Sequence, residues 1–285
     1  MNILKHLAGL TNYFYDSTNN KIPYIHVYSC TDGKKFHPVD ANGEGKARVD
    51  DAARACILAF EIYEYTQDKT ALETDLKWIK FLDYMTDDNN LMLNFIDEDN
   101  NRVTNTQSYY PGGAWWSSRA KHAYAKAFAV TKDDAYLTKY TRLKISEAFD
   151  SDIASILLIA GMEANIEEDF QDLYTLAISL LESVSVDGYM VHNRNVHEMH
   201  MWGYHEFEAY IITRKEKYKK MFLDCCAWFD GKSQLGERIY NRLNGACRDG
   251  IKDGKLSKDC GAESAIEAGS VELRRIILQE QSFKY

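Results

Sequence analysis

Asp50 and Asp51 stand side by side in Val49-Asp50-Asp51-Ala52-Ala53-Arg54-Ala55, with Arg54 one helical turn further on. In a helix, residues three and four apart share a face, so the arginine meets both carboxylates. Acidic side chains suit a helix start, where backbone N–H groups are unpaired and the dipole favours negative charge. Two of them exceed what one cap requires. The apolar positions Ile57, Leu58, Phe60 and Ile62 follow, so the spacing predicts a polar trio held at the end of a buried helix. The plainer reading of the same residues is a helix cap with a surface ion pair.

Three further constellations carry polar or aromatic groups where packing alone does not ask for them. The first is Asn244-Gly245-Ala246-Cys247-Arg248-Asp249-Gly250 with Lys258-Asp259-Cys260-Gly261-Ala262-Glu263-Ser264. Glycines bracket isolated charges there and permit close approach of backbone or ligand, and Glu263 opens the last helix. Its structural alternative is a glutamate in a first turn. The second is the histidine set His192, His197, His200 and His205 with Trp202, followed by Glu206. His197-Glu198-Met199-His200 is one residue short of HExxH, so no metal site is expected; acid–base work or hydrogen bonding suits these imidazoles better. His192 and His197 also read as surface histidines without a role. The third is Tyr109-Tyr110-Pro111-Gly112-Gly113-Ala114-Trp115-Trp116-Ser117-Ser118-Arg119-Ala120. Arg119 precedes an alanine as Arg54 does. Flat rings beside polar groups suit sugars, whose C–H faces stack while their hydroxyls hydrogen-bond. A packed tryptophan pair with a surface arginine is the alternative.

These groups need elements to hold them. Three prolines in 285 residues permit long helices, and apolar periodicity predicts helices near 2–14, 50–65, 69–85, 116–130, 133–147, 151–162, 166–184, 202–213, 215–230 and 261–280. Brief alternation predicts strands at 24–28 and 91–96. A weak repeat recurs at Tyr65-Thr66-Gln67-Asp68-Lys69-Thr70-Ala71-Leu72, Val130-Thr131-Lys132-Asp133-Asp134-Ala135-Tyr136-Leu137 and Ile212-Thr213-Arg214-Lys215-Glu216-Lys217-Tyr218. Each copy lies between two helices, which predicts αα-hairpins joined by tight polar turns. Hairpins that bury their faces on one another close into a ring, and the long connections at 15–49, 86–115, 185–201 and 231–260 fall at the end opposite the tight turns. The expectation is one all-α domain over residues 1–285, an (α/α) toroid of helical hairpins.

A net charge of −9 argues against a nucleic-acid partner. No apolar run reaches the length of a membrane span, and the short apolar start does not read as a signal peptide, so a cytoplasmic protein or a mature form is expected. Nothing matches a P-loop, a dinucleotide fingerprint or a nucleophile elbow, and no cofactor is expected. The six cysteines lack CxxC spacing and read as free thiols, with a Cys247–Cys260 bridge open in an oxidising compartment.

With these motifs in view, the chain resembles bacterial (α/α)-toroid proteins of the six-hairpin glycosidase-like superfamily, associated with glycosyltransferases and mannoside phosphorylases. The early motif of that family is similar to residues 49–55. Ser118-Arg119-Ala120 resembles the end of its second motif, and Trp228-Phe229, Gly245–Gly250 and Gly261-Ala262-Glu263-Ser264 resemble its C-terminal block. Ala52 stands where the family has asparagine, and the second motif lacks its acidic residues. The resemblance implies a toroid trimmed from six hairpins and a carbohydrate context more than a particular reaction; the leading expectation is a glycoside hydrolase acting on a small oligosaccharide or sugar. Cleavage of that kind uses one protonated and one ionised carboxyl, drawn here from Asp50 or Asp51 and from Asp249 or Glu263. Tyr109, Trp115, Trp116, Trp202, Arg54, Arg119, Arg248, His200 and His205 then bind substrate. The alternatives are a sugar epimerase using His200 and His205, and a non-catalytic sugar-binding or scaffold toroid. Carboxylates facing an open pocket favour an enzyme, and carboxylates locked in arginine pairs favour a binder.

Overall fold

The computed structural model describes residues 1–31, 36–39, 45–104, 110–147, 151–165, 203, 206–211, 213–233 and 235–282. By contacts the chain divides into two compact units, one made of Leu10–Val27 and Val39–Glu182 and the other of Met1–Gly9, Tyr28–Pro38 and Ser183–Tyr285.

The first unit opens on a hairpin, β1 (Thr11–Tyr15) and β2 (Lys21–Ile25), paired from Thr11↔Ile25 to Tyr15↔Lys21. The periodicity predicts helix through residue 14, and the structure corrects this: α1 (Ile3–Leu10) stops where Thr11, Tyr13 and Phe14 begin. β-Branched and aromatic side chains favour the pleated state, and a turn follows at once. There the Asp16 carboxylate accepts the Thr18 and Asn20 N–H groups at 2.9 and 2.8 Å, and Asn19 turns left-handed. Trp78 ties the hairpin down by donating its indole N–H to the Thr11 hydroxyl at 3.1 Å.

Helices α2 (Val49–Thr66), α3 (Lys69–Met85), α4 (Ala114–Thr131), α5 (Asp134–Arg142) and α6 (Ser151–Ala164) form the body of this unit. α2 packs on α3 and α4, and α4 packs on α5 and α6. α2 and α4 are buried along most of their length, with Ala52, Ala53, Ala55, Ala59, Ala120, Ala123, Ala125 and Ala127 inside. Such small side chains let helices pack closely without apolar stripes. α5 ends at Arg142, short of the expected 147, where Lys121 donates to the carbonyls of Tyr140 and Leu143 at 2.7 and 3.0 Å. The expected strand at 91–96 reduces to β6 (Phe95–Ile96), paired with β5 (Ala47–Arg48).

The second unit holds α1, the paired strands β3 (Tyr28–Thr31) and β4 (Phe36–Val39), helical residues 206–211, α7 (Glu216–Phe229) and α8 (Ala262–Ser282). The expected strand at 24–28 is therefore two strands, β2 and β3. Short ladders join β7 (Tyr240–Asn241) to β8 (Ala246–Cys247), and β9 (Ile251–Lys252) to β10 (Lys255–Leu256). Phe207, Phe222, Cys225, Trp228, Phe229, Ile239, Cys247, Val271 and Leu278 form its core. The β7–β8 turn needs Gly245: its φ is 79°, and a Cβ there would lie 2.6 Å from the Ile3 Cα. All six cysteines are thiols, outside any disulfide. No helix among the described residues is long and apolar enough to cross a membrane.

Candidate functional site

The start of α2 is fixed before its side chains are considered. β5 pairs with β6, and the Val49 N–H donates to the Asn94 carbonyl at 2.8 Å. Gly45 leads into this ladder with φ 122°, where a Cβ would meet the Ile96 carbonyl at 2.3 Å. The first turn of α2 therefore has one available position. From it Arg54 donates to Asp50 at 2.6 Å and to Asp51 at 2.8 Å, as the spacing predicts. Arg48, on β5, meets Asp51 at 2.9 Å. Arg119, from α4, reaches Asp50 at 3.1 Å through Nε. Two carboxylates thus meet three guanidinium groups. Asp51 is fully buried, while Asp50 keeps partial access to solvent.

Trp115 completes this cluster. Its ring lies 5.3 Å from the Arg119 guanidinium carbon, within cation–π range, yet the residue remains 36% exposed. Trp116 takes the other direction: it is buried, its indole N–H donates to the Met92 carbonyl at 2.8 Å, and Tyr110 packs edge-on against it at 5.2 Å.

In the second unit, Asp249 sits in the loop before β9. Its carboxylate accepts the Gly261 N–H at 2.7 Å, just ahead of α8. Burial pushes its pKa up to about 6, against the lowering effect of the bonds from Gly261 and Ser264; the Asp259 and Glu263 charges push the same way as burial. Glu263 lies in the first turn of α8 and is half-buried. The Arg248 guanidinium donates to the Lys258 carbonyl at 2.9 Å and braces the loop. Tyr109, His192, His197, His200, Trp202 and His205 lie outside the described residues.

Two participants have no motif to announce them. Arg48 joins the aspartates from a strand, so helical spacing does not include it. Glu206 is almost wholly buried, with its carboxyl 3.5 Å from the Cys225 sulfur, and burial raises its pKa to about 8.

No family model and no curated protein sequence matches the chain. Solved structures do. A GH76 alpha-mannanase from Bacteroides thetaiotaomicron aligns with a TM-score of 0.56 at 12% identity, over 96% of this chain and 79% of that one. A D-mannose isomerase aligns at 0.53 and 11%, over 96% of both chains. A cellobiose 2-epimerase from Spirochaeta thermophila aligns at 0.51 and 9%, over 97% and 94%. The chain shares the (α/α)-toroid fold of these structures. In this toroid the Asp50–Asp51–Arg54 trio opens α2 and Arg119 approaches it from α4, the helix of the next hairpin.

Proposed function

We propose that this toroid is a carbohydrate-active protein, and that the reaction is glycoside hydrolysis on a small oligosaccharide. The observation that carries the sugar reading is the exposed Trp115 ring backed by Arg119, which in turn holds Asp50. An open aromatic face accepts the C–H face of a sugar, and the adjoining guanidinium and carboxylate groups suit its hydroxyls. The similarity of the fold to an alpha-mannanase, a D-mannose isomerase and a cellobiose 2-epimerase supports a sugar ligand.

Hydrolysis needs carboxyl groups of opposite character. The chain supplies both kinds. Asp50 and Asp51 face arginines, which favour the ionised form. Asp249, at about 6, retains its proton closer to neutrality than an ordinary aspartate and suits the role of acid, with Glu263 the alternative. A second reading, a sugar-binding protein without turnover, is favoured by the arginine pairs themselves, since Asp51 is spent on Arg48 and Arg54. An epimerase reading rests on His200 and His205.

One panel separates the three. Manno- and gluco-oligosaccharides are incubated with the protein and read by mass and by NMR. Hydrolysis shortens the chain and changes the mass. Epimerisation or isomerisation leaves the mass unchanged and alters the anomeric spectrum. A binder shifts protein resonances and changes neither. No product and no binding would overturn the carbohydrate reading.

A further inference from the structure

Between α5 and α6 the chain places one carboxylate against the start of α4. Glu147 accepts the Ala114 N–H at 2.5 Å and the Tyr110 hydroxyl at 2.6 Å. Ala114 is the first residue of α4, and its cap, Gly113, has no side chain to offer. A helix start leaves backbone N–H groups to be satisfied by whatever lies near, and here the partner arrives from 33 residues away. The neighbouring backbone is stitched in the same direction. The Ser146 N–H donates to the Gly112 carbonyl and the Ser146 hydroxyl to the Pro111 carbonyl, each at 2.8 Å. The Gly112 N–H and the Trp116 indole both donate to the Met92 carbonyl, also at 2.8 Å. The residue after Ala114 is Trp115.

We propose that Glu147 is a positioning residue for the Trp115 platform: by clamping Tyr110 and the first N–H of α4 together, it sets where the exposed ring stands against Arg119. The proposal rests on the carbohydrate reading for the purpose of that platform. Trp115 and Arg119 lie four residues apart on α4, and Asp50 fixes the Arg119 end at 3.1 Å, so the ring stays beside the guanidinium only while the first turn of α4 keeps its helical geometry. A charged acceptor suits this place because it also meets the positive end of the helix dipole. The Tyr110 pKa, pushed up to about 12 chiefly by this hydrogen bond, agrees with a proton held firmly on the phenol. Removing the carboxylate frees the Tyr110 hydroxyl and leaves the Ala114 N–H to water, while the buried body of α4 keeps its packing.

The test compares wild type, Glu147→Ala, Glu147→Gln, Trp115→Ala and the Glu147→Ala/Trp115→Ala double variant. Mannobiose and cellobiose are titrated against each by calorimetry. Glu147→Ala is expected to weaken disaccharide binding about tenfold. Glu147→Gln, which still accepts from Ala114 and can donate to the Tyr110 oxygen, recovers most of it. In the Trp115→Ala background, Glu147→Ala costs nothing more, because it acts only through that ring. An additive loss in the double variant overturns the proposal. A second readout keeps it independent of the sugar. Acrylamide quenching, taken as the difference between each protein and its Trp115→Phe partner, reports how the ring is covered. A change on Glu147→Ala supports positioning even if neither disaccharide binds, in which case the carbohydrate reading alone fails. Unchanged quenching of Trp115 overturns the positioning role.

Discussion

Asp51 carries two arginines on one buried carboxylate, and this changes what its mutation tests. Asp51→Asn is nearly isosteric, but it puts a neutral amide at a fully buried position between Arg48 and Arg54, of which Arg54 keeps a second carboxylate, Asp50. Breaking a buried pair by removing one partner costs about 3–5 kcal/mol. Asp51→Asn is therefore expected to lower stability by about 3 kcal/mol in urea unfolding, whereas Asp50→Asn, partly solvated, costs less than half of that. Equal costs would show that burial does not separate the two. Asp249 behaves oppositely. Its folded pKa of about 6 lies above its ordinary 3.8, so the native state binds the extra proton. The stability this contributes is complete below pH ~3.8 and is lost as pH rises through about 6, about 3 kcal/mol at most. Asp249→Asn keeps an oxygen for the Gly261 N–H and is expected to flatten the stability curve between pH 4 and 6. Under the hydrolase reading it also lowers turnover at least about a hundredfold and abolishes the ionisation near 6 in the pH–rate profile. Glu206 adds a similar decline over a higher window, from 4.5 to about 8, which Glu206→Gln removes. The aspartate–arginine trio was legible because i, i+3 and i, i+4 geometry is local. Arg48 was not, since it reaches Asp51 from a strand, and neither the raised pKa of Asp249 nor that of Glu206 can be read without knowing burial.

The hairpin turns show at the scale of the element how far a weak repeat can be trusted. In all three copies the residue closing the first helix is left-handed: Gln67 at φ 58°, Lys132 at 59° and Arg214 at 55°. In each, its N–H donates four residues back, to Tyr63, Phe128 and Tyr210. In each, the preceding threonine hydroxyl donates four residues back, from Thr66 to Ile62, Thr131 to Ala127 and Thr213 to Ala209. That same hydroxyl accepts the N–H of the next helix's cap residue, at 3.2, 3.2 and 3.3 Å. The threonine and the left-handed residue after it thus build the same turn in all three copies, which is why sequence found it. The copies differ at the cap itself. Asp68 and Asp133 accept from Thr70 and Ala135 at 2.9 Å each, while Lys215 caps α7 without a side-chain bond. Asp133→Ala is expected to cost about 1 kcal/mol, Asp68→Ala to lower the urea midpoint in the same direction, and Lys215→Asp to gain about 0.5–1 kcal/mol. A loss on Lys215→Asp would show that the third turn is not equivalent. The β1–β2 hairpin was missed for a related reason. Its apolar residues continue the helical phase of α1, and only the Asp16–Asn20 turn and the aromatic composition mark the change of period.

For the whole molecule, the scarcity of proline, the hairpin repeat and the motif order led to the toroid, whose likeness to solved structures at 9–12% identity lies beyond what those sequences alone would reveal. The boundaries within the chain were less legible, because no linker composition marks them. The polypeptide passes between its two compact units four times, at residues 9–10, 27–28, 38–39 and 182–183. Neither unit is a continuous stretch of sequence. Opening one therefore frees the ends of segments that the other must hold, as with residues 28–38, which are joined on both sides to the first unit. That threading couples the units through the backbone itself, and we propose that the chain unfolds as a single cooperative domain. Calorimetry should give one transition whose van't Hoff and calorimetric enthalpies agree, and tryptophan fluorescence and far-UV circular dichroism should change at the same urea concentration. A fragment of residues 39–182 tests the same idea from the other side. It lacks β1 and β2, and with them the buried side chains of Phe14, Ile22, Tyr24 and Ile25 and the Thr11 partner of Trp78. It should show helix without a cooperative transition. A fragment that melts sharply, or two resolved transitions in the full chain, would instead establish separate domains.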